Sequence, residues 1–325
     1  MLCGVIFDKQ RPHVLLSSLD DITIIIACYN EESSIYETIE YINKQNYPAR
    51  IIINCVDNNS SDRTKEEIMR AKVNFPKLLI NYIFEEKRGK FHASNAGLSQ
   101  TTTKYVISLD ADTILYKDSL WTLVSTMVTV SATNLVGAIA GTIFVRNSRD
   151  NLLTKLQEWD YFVSIAAIKR AQGLFQSTLV AQGAYSIYQT SVLKDIGGWS
   201  DSIGEDIVVS WTLLEQGYKI YYDPLAVSFT NVPTKFKVFA RQRARWARGM
   251  IEGFRHVKFY RCRNHYSRLL ILLDYLLILI DFGMTFVWIP GLIACGRLVK
   301  SGWSTYPNFT ADYYYCFCFP YCYRT

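Results

Sequence analysis

The sequence predicts an α/β fold on a mostly parallel sheet. Short β-branched runs alternate with helical spacing through the first third of the chain, which is the pattern of βαβ units. Two of those runs end in aspartate, at the place where open α/β sheets bind ligands. Ile22-Thr-Ile-Ile-Ile-Ala27 has the length and branching of a buried strand. Asn30, Glu31, Glu32, Ser33 and Ser34 follow as turn and cap residues, and apolar positions at 35, 39 and 42 predict a helix. Residues 51–56 form a second strand ending at Asp57-Asn-Asn-Ser-Ser-Asp62, followed by a polar helix over 62–72. A third strand covers 78–84, a loop and helix 89–98, and a fourth strand 105–109, which ends at Asp110. The middle of the chain is mixed. It reads as a strand over 136–145, a helix over 152–172 carrying Trp159 and Tyr161, and a short strand over 184–188 before Gly197-Gly198-Trp199. Residues 204–216 read as a loop and helix.

Composition bounds the setting. Half of the 325 residues are hydrophobic, too many for an ordinary soluble enzyme and too few for a multi-span transporter. A soluble domain attached to membrane fits best. The net charge of +6 is unevenly placed: 235–268 holds eleven Lys/Arg against one acid, Glu252. An apolar stretch over 269–294 follows at once, long enough to span a bilayer although Asp274, Asp281 and Pro290 interrupt it. That neighbour favours membrane lipid, not nucleic acid, as the partner of the basic run. The eight cysteines form no CxxC pair, so a reducing compartment without disulfides is expected. The apolar run at 2–7 is too short for a signal peptide. The expected divisions are a lead over 1–21, an α/β domain over 22–232, a basic interfacial region over 233–268, and a membrane segment with an aromatic tail over 269–325.

Five stretches can carry chemistry. Asp110-Ala-Asp112 follows a strand, and two carboxylates so spaced can share a hard cation with phosphate oxygens, although Asp-x-Asp alone also describes an acidic turn. Asp57 sits at a matching strand end and can accept hydrogen bonds from a base or ribose, or close an Asx-turn. Lys90, after Arg88 and Gly89, can neutralise phosphate or be a solvated surface lysine. Glu205-Asp206 opens a helix, where acids serve as caps or where one can act as general base for a hydroxyl. Gln242, Arg245 and Trp246 fall near one helical face. Arginine there grips phosphate and tryptophan offers a flat wall, while the same helix can lie on a membrane. Arg241, Arg243 and Arg248 are left over.

Taken in order, Ala27-Cys-Tyr29-Asn-Glu31-Glu, Asp57…Asp62, Arg88-Gly-Lys90, Asp110-Ala-Asp112, Gly204-Glu205-Asp206 and Gln242-Arg-Ala-Arg245-Trp246 resemble the processive, membrane-bound family 2 glycosyltransferases. These include cellulose, chitin, hyaluronan and poly-N-acetylglucosamine synthases. The resemblance covers roughly 22 to 260. Over 154–250 it is most similar to bacterial poly-β-1,6-N-acetylglucosamine synthases, through Lys169-Arg170, Ala181-Gln-Gly183-Ala-Tyr-Ser, Gly197-Gly-Trp199-Ser and Gly204-Glu-Asp206-Ile. It implies a Rossmann-like GT-A domain and a UDP-sugar donor, with UDP-N-acetylglucosamine first. Tyr29, Glu31, Asp57, Lys90 and Asp110 would bind that donor, Asp57 at the uridine and Asp110 near the diphosphate. Asp112, with Asp110, would coordinate Mg2+ or Mn2+. Asp206 would be the base of an inverting transfer, and Gln242, Arg245 and Trp246 would hold the pyrophosphate and the end of a polysaccharide acceptor. The implied location is the inner face of the plasma membrane, with the catalytic domain cytoplasmic. Similar synthases carry several spans, so other membrane subunits are implied partners. A non-processive UDP-sugar transferase and an inactive synthase subunit stay as alternatives, separated by product length and by turnover.

Overall fold

The computed structural model describes residues 16, 18–173 and 178–294. Most of the lead and the aromatic tail, with cysteines 3, 295, 316, 318 and 322, lie outside the described residues. The chain divides into two units, Met1–Ile271 and Leu272–Thr325.

The first unit is built on one sheet. Its strands are β1 (Ile22–Cys28), β2 (Ile51–Asp57), β3 (Leu79–Phe84), β4 (Tyr105–Asp110), β5 (Thr113–Leu115), β6 (Val136–Val145), β7 (Tyr185–Gln189) and β8 (Lys219–Thr230), in the order β3-β2-β1-β4-β7-β6-β8-β5. β3, β2, β1 and β4 are parallel. Beyond β4 the sheet becomes mixed: β7 runs antiparallel to both β4 and β6, β6 and β8 are parallel, and β5 is antiparallel to β8. The mostly parallel expectation therefore holds for the first half and gives way to a mixed sheet in the second.

The helices are α1 (Ile35–Asn43), α2 (Thr64–Asn74), α3 (Lys90–Ser99), α4 (Ser119–Ser131), α5 (Leu152–Tyr161), α6 (Ile168–Gly173), α7 (Thr190–Asp195), α8 (Glu205–Glu215), α9 (Phe236–His256) and α10 (His265–Gly283). α1 and α4 cover one face of the sheet and α3 and α8 the other, and β1 shows why its run is continuously apolar. Ile22, Ile24 and Ile26 point into a core completed by Ile35, Ile39 and Ile42 of α1 and Leu120, Leu123 and Met127 of α4. Ile25 points the other way, into a second core with Ala93 and Leu98 of α3 and Val209, Trp211 and Leu213 of α8. A strand buried on both faces needs no polar alternation. Each such isoleucine contributes roughly 1.5–3 kcal/mol of burial.

The helix expected over 152–172 is interrupted by a π-helical stretch, Phe162–Ala167, between α5 and α6. β5, α4, α7 and β8 were not expected from the sequence. β8 escapes notice because Asp223-Pro224 breaks its pattern. The ladder accommodates the break as an irregularity: Ala140 pairs with Tyr222 and Thr142 already with Val227, the kind of place that tolerates proline in a strand.

In the second unit the described residues are helical. They belong to the helix His265–Ala294, whose most apolar 18-residue stretch has a mean hydropathy of 2.1 and which is long and apolar enough to cross a membrane.

Candidate active site at the carboxyl edge of the sheet

β1, β2 and β4 end together at one edge, where Cys28 pairs with Asp57 and Ala27 with Asp110. β1 lies between the two aspartates. They share the edge but stand two strand spacings apart, about 10 Å. Asp57 is buried. Its Oδ1 accepts from the Ser60 amide at 3.0 Å and its Oδ2 from the Tyr82 hydroxyl at 2.8 Å, so the turn-forming reading of this residue holds. Its neighbour Asn58, unremarked in the sequence, ties down the next loop: Nδ2 donates to the Lys87 carbonyl at 2.6 Å, and Oδ1 accepts from the Gly89 amide at 2.7 Å. Gly89 takes φ +140°, which side chains on L residues rarely adopt, and this turn delivers Lys90 to the start of α3. Tyr29 is exposed at the rim, with the Arg88 guanidinium 5.2 Å over its ring. Burial, with Asp110 and Asp62 nearby, raises the Glu31 carboxyl, against the hydroxyl of Ser34 that donates to it.

Lys90 links the two halves of the unit. Its Nζ lies 2.6 Å from Asp110 Oδ1 and 3.6 Å from Glu205 Oε1 at the start of α8. Burial works against its charge, yet Asp110, Glu205 and Asp206 together raise it above the ordinary lysine value. Glu205 is raised by burial despite Lys90. Asp206 Oδ2 accepts the Gly183 amide at 3.2 Å, and the Gly183 carbonyl takes the Ser108 hydroxyl at 2.8 Å. Gly183 thus bridges β4 to the start of α8, a role its sequence context did not signal. A Cβ there would stand 3.2 Å from Lys90 Nζ.

Asp112 receives a hydroxyl from Thr230 at 3.3 Å, across the β5–β8 pairing. Burial, with Asp110 and Glu31 nearby, pushes its carboxyl up to about 6. Crowded carboxylate oxygens of this kind are the donors a hard divalent cation takes. Among the described residues no three His, Cys, Asp or Glu side chains converge closely enough to hold an ion alone. Asp110 and Asp112 have the donor chemistry that such a cation would take, with further ligands needed from elsewhere.

The Gln242-to-Trp246 segment lies on α9. At 100° per residue, Gln242, Trp246, Gly249 and Gly253 share one face. Gly249 and Gly253 are buried, Gln242 is half-buried and Trp246 is 40% exposed, whereas Arg245 stands at the margin, exposed. Backbone meets backbone at this helix: a Cβ on Gly249 would lie 2.8 Å from Gly204 Cα, and one on Gly204 2.7 Å from the Gly249 carbonyl oxygen. The Ile203 amide donates to Glu252 Oε2 at 2.7 Å, and Gly253 packs on Ile207 and Trp211. The Trp246 ring lies 6.2 Å from Tyr161 of α5. Tyr161 is buried, and burial, with Asp112 and Asp110 nearby, pushes its hydroxyl up to about 12 against the opposing pull of Arg243. The acidic edge, the start of α8 and the Trp246 helix are thus brought to one region.

A doubly covered mixed sheet with acids at its carboxyl edge is the architecture of GT-A glycosyltransferases. Residues 20–249 match the family model described as glycosyltransferase like family 2, and the chain belongs to that family. It is 34% identical over 242 residues to the poly-β-1,6-N-acetyl-D-glucosamine synthase of Staphylococcus aureus (strain COL), covering 74% of this chain and 57% of that protein. It is also 34% identical over 251 residues to the synthase of the same name from Staphylococcus epidermidis, covering 75% and 59%. The chain thus spans a little over half the length of the curated relatives it matches. Among solved structures, it is similar to the mannosyltransferase PcManGT from Pyrobaculum calidifontis in complex with GDP-Man and Mn2+. That match has a TM-score of 0.62 and 20% identity, over 94% of this chain and 89% of that one. A fragment of S. aureus TarS in complex with UDP-GlcNAc follows at a TM-score of 0.53 and 17% identity, over 82% and 73%.

Proposed function

We propose that the protein is an inverting, metal-dependent transferase that passes N-acetylglucosamine from UDP-N-acetylglucosamine to a growing β-linked polysaccharide at a membrane. The observation that carries this reading is Lys90 seated between Asp110, on the donor edge, and Glu205, beside Asp206 on α8. One cation ties the phosphate side of the site to the acidic start of α8, next to the proposed base. The sugar rests on the relatives, both of which are named for poly-β-1,6-N-acetyl-D-glucosamine.

In this reading Asp57 anchors the uridine end beside Tyr29 and Glu31, and Asp110 and Lys90 flank the diphosphate. Asp110 and Asp112 hold Mg2+ or Mn2+, which when bound offsets the negative charge of the departing diphosphate. Asp206 accepts the proton of the acceptor hydroxyl; the oxygen bonds to the anomeric carbon from the face opposite the leaving group. The bond from that carbon to the phosphate oxygen breaks, UDP departs, and an α-linked donor yields a β-linked product. Lys90 offers a fixed positive charge close to where the leaving charge develops. Trp246 gives the acceptor sugar an apolar wall. Gln242, whose Oε1 is buried without a hydrogen-bond partner, can accept from a sugar hydroxyl, and Arg245 grips the pyrophosphate from the margin.

The helix His265–Ala294 supports attachment to a membrane; in this reading it is the plasma (inner) membrane, the transferase domain is cytoplasmic, and membrane lipid and other membrane subunits are partners. The test is UDP release. Membranes holding the protein, given UDP-N-acetylglucosamine and Mg2+ or Mn2+, release UDP and lengthen a β-linked product. Absence of UDP release with every UDP-sugar and either cation defeats the proposal.

A further inference from the structure

Arg243 lies inside the Gln242-to-Trp246 segment but has no part in the chemistry above, yet two rings and a carboxylate hold it. Its guanidinium stacks on two rings of its own helix, 4.5 Å from the centroid of Trp246 and 5.0 Å from that of Phe239. Its NH2 lies 2.6 Å from Asp160 Oδ2, on α5. Neither of these two atoms gains an aligned hydrogen bond, and both are buried, so charge holds the pair in place. The residue after Asp160 is Tyr161, whose ring flanks Trp246. Two consecutive residues of α5 therefore bear on the same indole, Tyr161 directly and Asp160 through Arg243.

We infer that Asp160 is a positioning residue for acceptor binding. Its ion pair holds the Arg243 guanidinium against the Trp246 ring and so fixes the orientation of the wall on which the acceptor sugar stacks. Without the carboxylate, Arg243 swings toward solvent, which hydrates a guanidinium well, and the indole is free to change rotamer. The pair is partly exposed, with 29% of the Arg243 and 45% of the Asp160 side chain open. A pair this open adds little to stability, so its use lies in orientation. Donor contacts on the β1–β4 edge are made by other residues and do not depend on it. This inference rests on the transferase reading for its kinetic consequence, but the lock between α5 and α9 can be read without turnover.

The experiment uses the full chain in membranes and compares Asp160→Asn and Asp160→Glu with the parent protein. Hydroxyl-radical labelling of Trp246, read by peptide mass spectrometry, rises in Asp160→Asn and returns to the parent level in Asp160→Glu. With a β-1,6-linked N-acetylglucosamine oligosaccharide as acceptor, Asp160→Asn raises the half-saturating acceptor concentration about five-fold, the scale of one partly desolvated cation–π contact. The half-saturating UDP-N-acetylglucosamine concentration and the saturating rate stay at the parent values. Unchanged Trp246 labelling in Asp160→Asn overturns the lock whether or not the protein turns over. A fall in saturating rate with unchanged acceptor saturation overturns the positioning role. Parent membranes that release no UDP from any UDP-sugar defeat the transferase reading instead, and the labelling result still decides the lock.

Discussion

Asp206 and Glu205 are adjacent acids with different surroundings. Glu205 stands 3.6 Å from Lys90 and is raised by burial. Asp206 receives two backbone amides, Gly183 at 3.2 Å and its own neighbour Ile207 at 2.9 Å, which orient the carboxylate. For the proposed base this predicts that Asp206→Asn lowers UDP release by about 10²–10⁴-fold, the usual scale for a positioned base. Binding of UDP-N-acetylglucosamine, followed by calorimetry, stays intact. A second residue-scale prediction concerns Lys169 of α6. It donates to the Val180 carbonyl at 2.7 Å and to Gln182, and burial lowers it to about 7, against the pull of Asp206. Between pH 7 and the ordinary lysine value near 10.4, the unfolded chain keeps a proton here that the folded chain has lost. The penalty for burying the charge is therefore complete below pH 7 and recedes as pH rises. Lys169→Met raises the urea midpoint most at pH 6, and its advantage over the parent shrinks steadily toward pH 9. A constant gap across that range would refute the assignment.

At the scale of elements, the contact of α8 with α9 rests on absent side chains. Gly249→Ala must push apart backbones that now meet with a Cβ-to-Cα distance of 2.8 Å. The overpacking costs about 1–3 kcal/mol, and a lowered melting temperature together with reduced UDP release is the expected result. Gly204 stood in a quoted motif, but its packing against Gly249 was not legible, because a small residue declares no partner until the second helix is in place. The same holds for Asp160 and Arg243, which lie more than eighty positions apart. By contrast, Asp57, Asp110 and Asp206 were legible, since each stands at a strand end or helix start that local pattern reveals. The first four strands were legible for the same reason. β8 was not, because its pairing with β6 absorbs Asp223-Pro224. Neither was α4, whose apolar and β-branched composition fits a strand as well as a helix.

For the whole molecule, the sheet is the floor on which the site is laid, with separate cores above and below it. Ile24 belongs to one and Ile25 to the other, so truncating either to alanine costs about 2–5 kcal/mol. Loss in both variants, measured by urea unfolding, checks that the two faces are packed alike. The second unit calls for a different assay. The apolar helix His265–Ala294 predicts that the chain stays in the pellet after alkaline carbonate extraction. Replacing Leu276 and Leu277 by lysine moves it to the supernatant, because charges near a bilayer centre are costly.

The meeting of Gly204 with Gly249 has a practical consequence for anyone rebuilding this protein. With no side chain between them to give way, the helix bearing Trp246 and the loop before Asp206 keep a fixed spacing. Transplanting only the Trp246 helix from a cousin with a bulkier residue at either position shifts the indole and the carboxylate out of step. Chimeras that hope to keep turnover should exchange 204–253 as a single cassette.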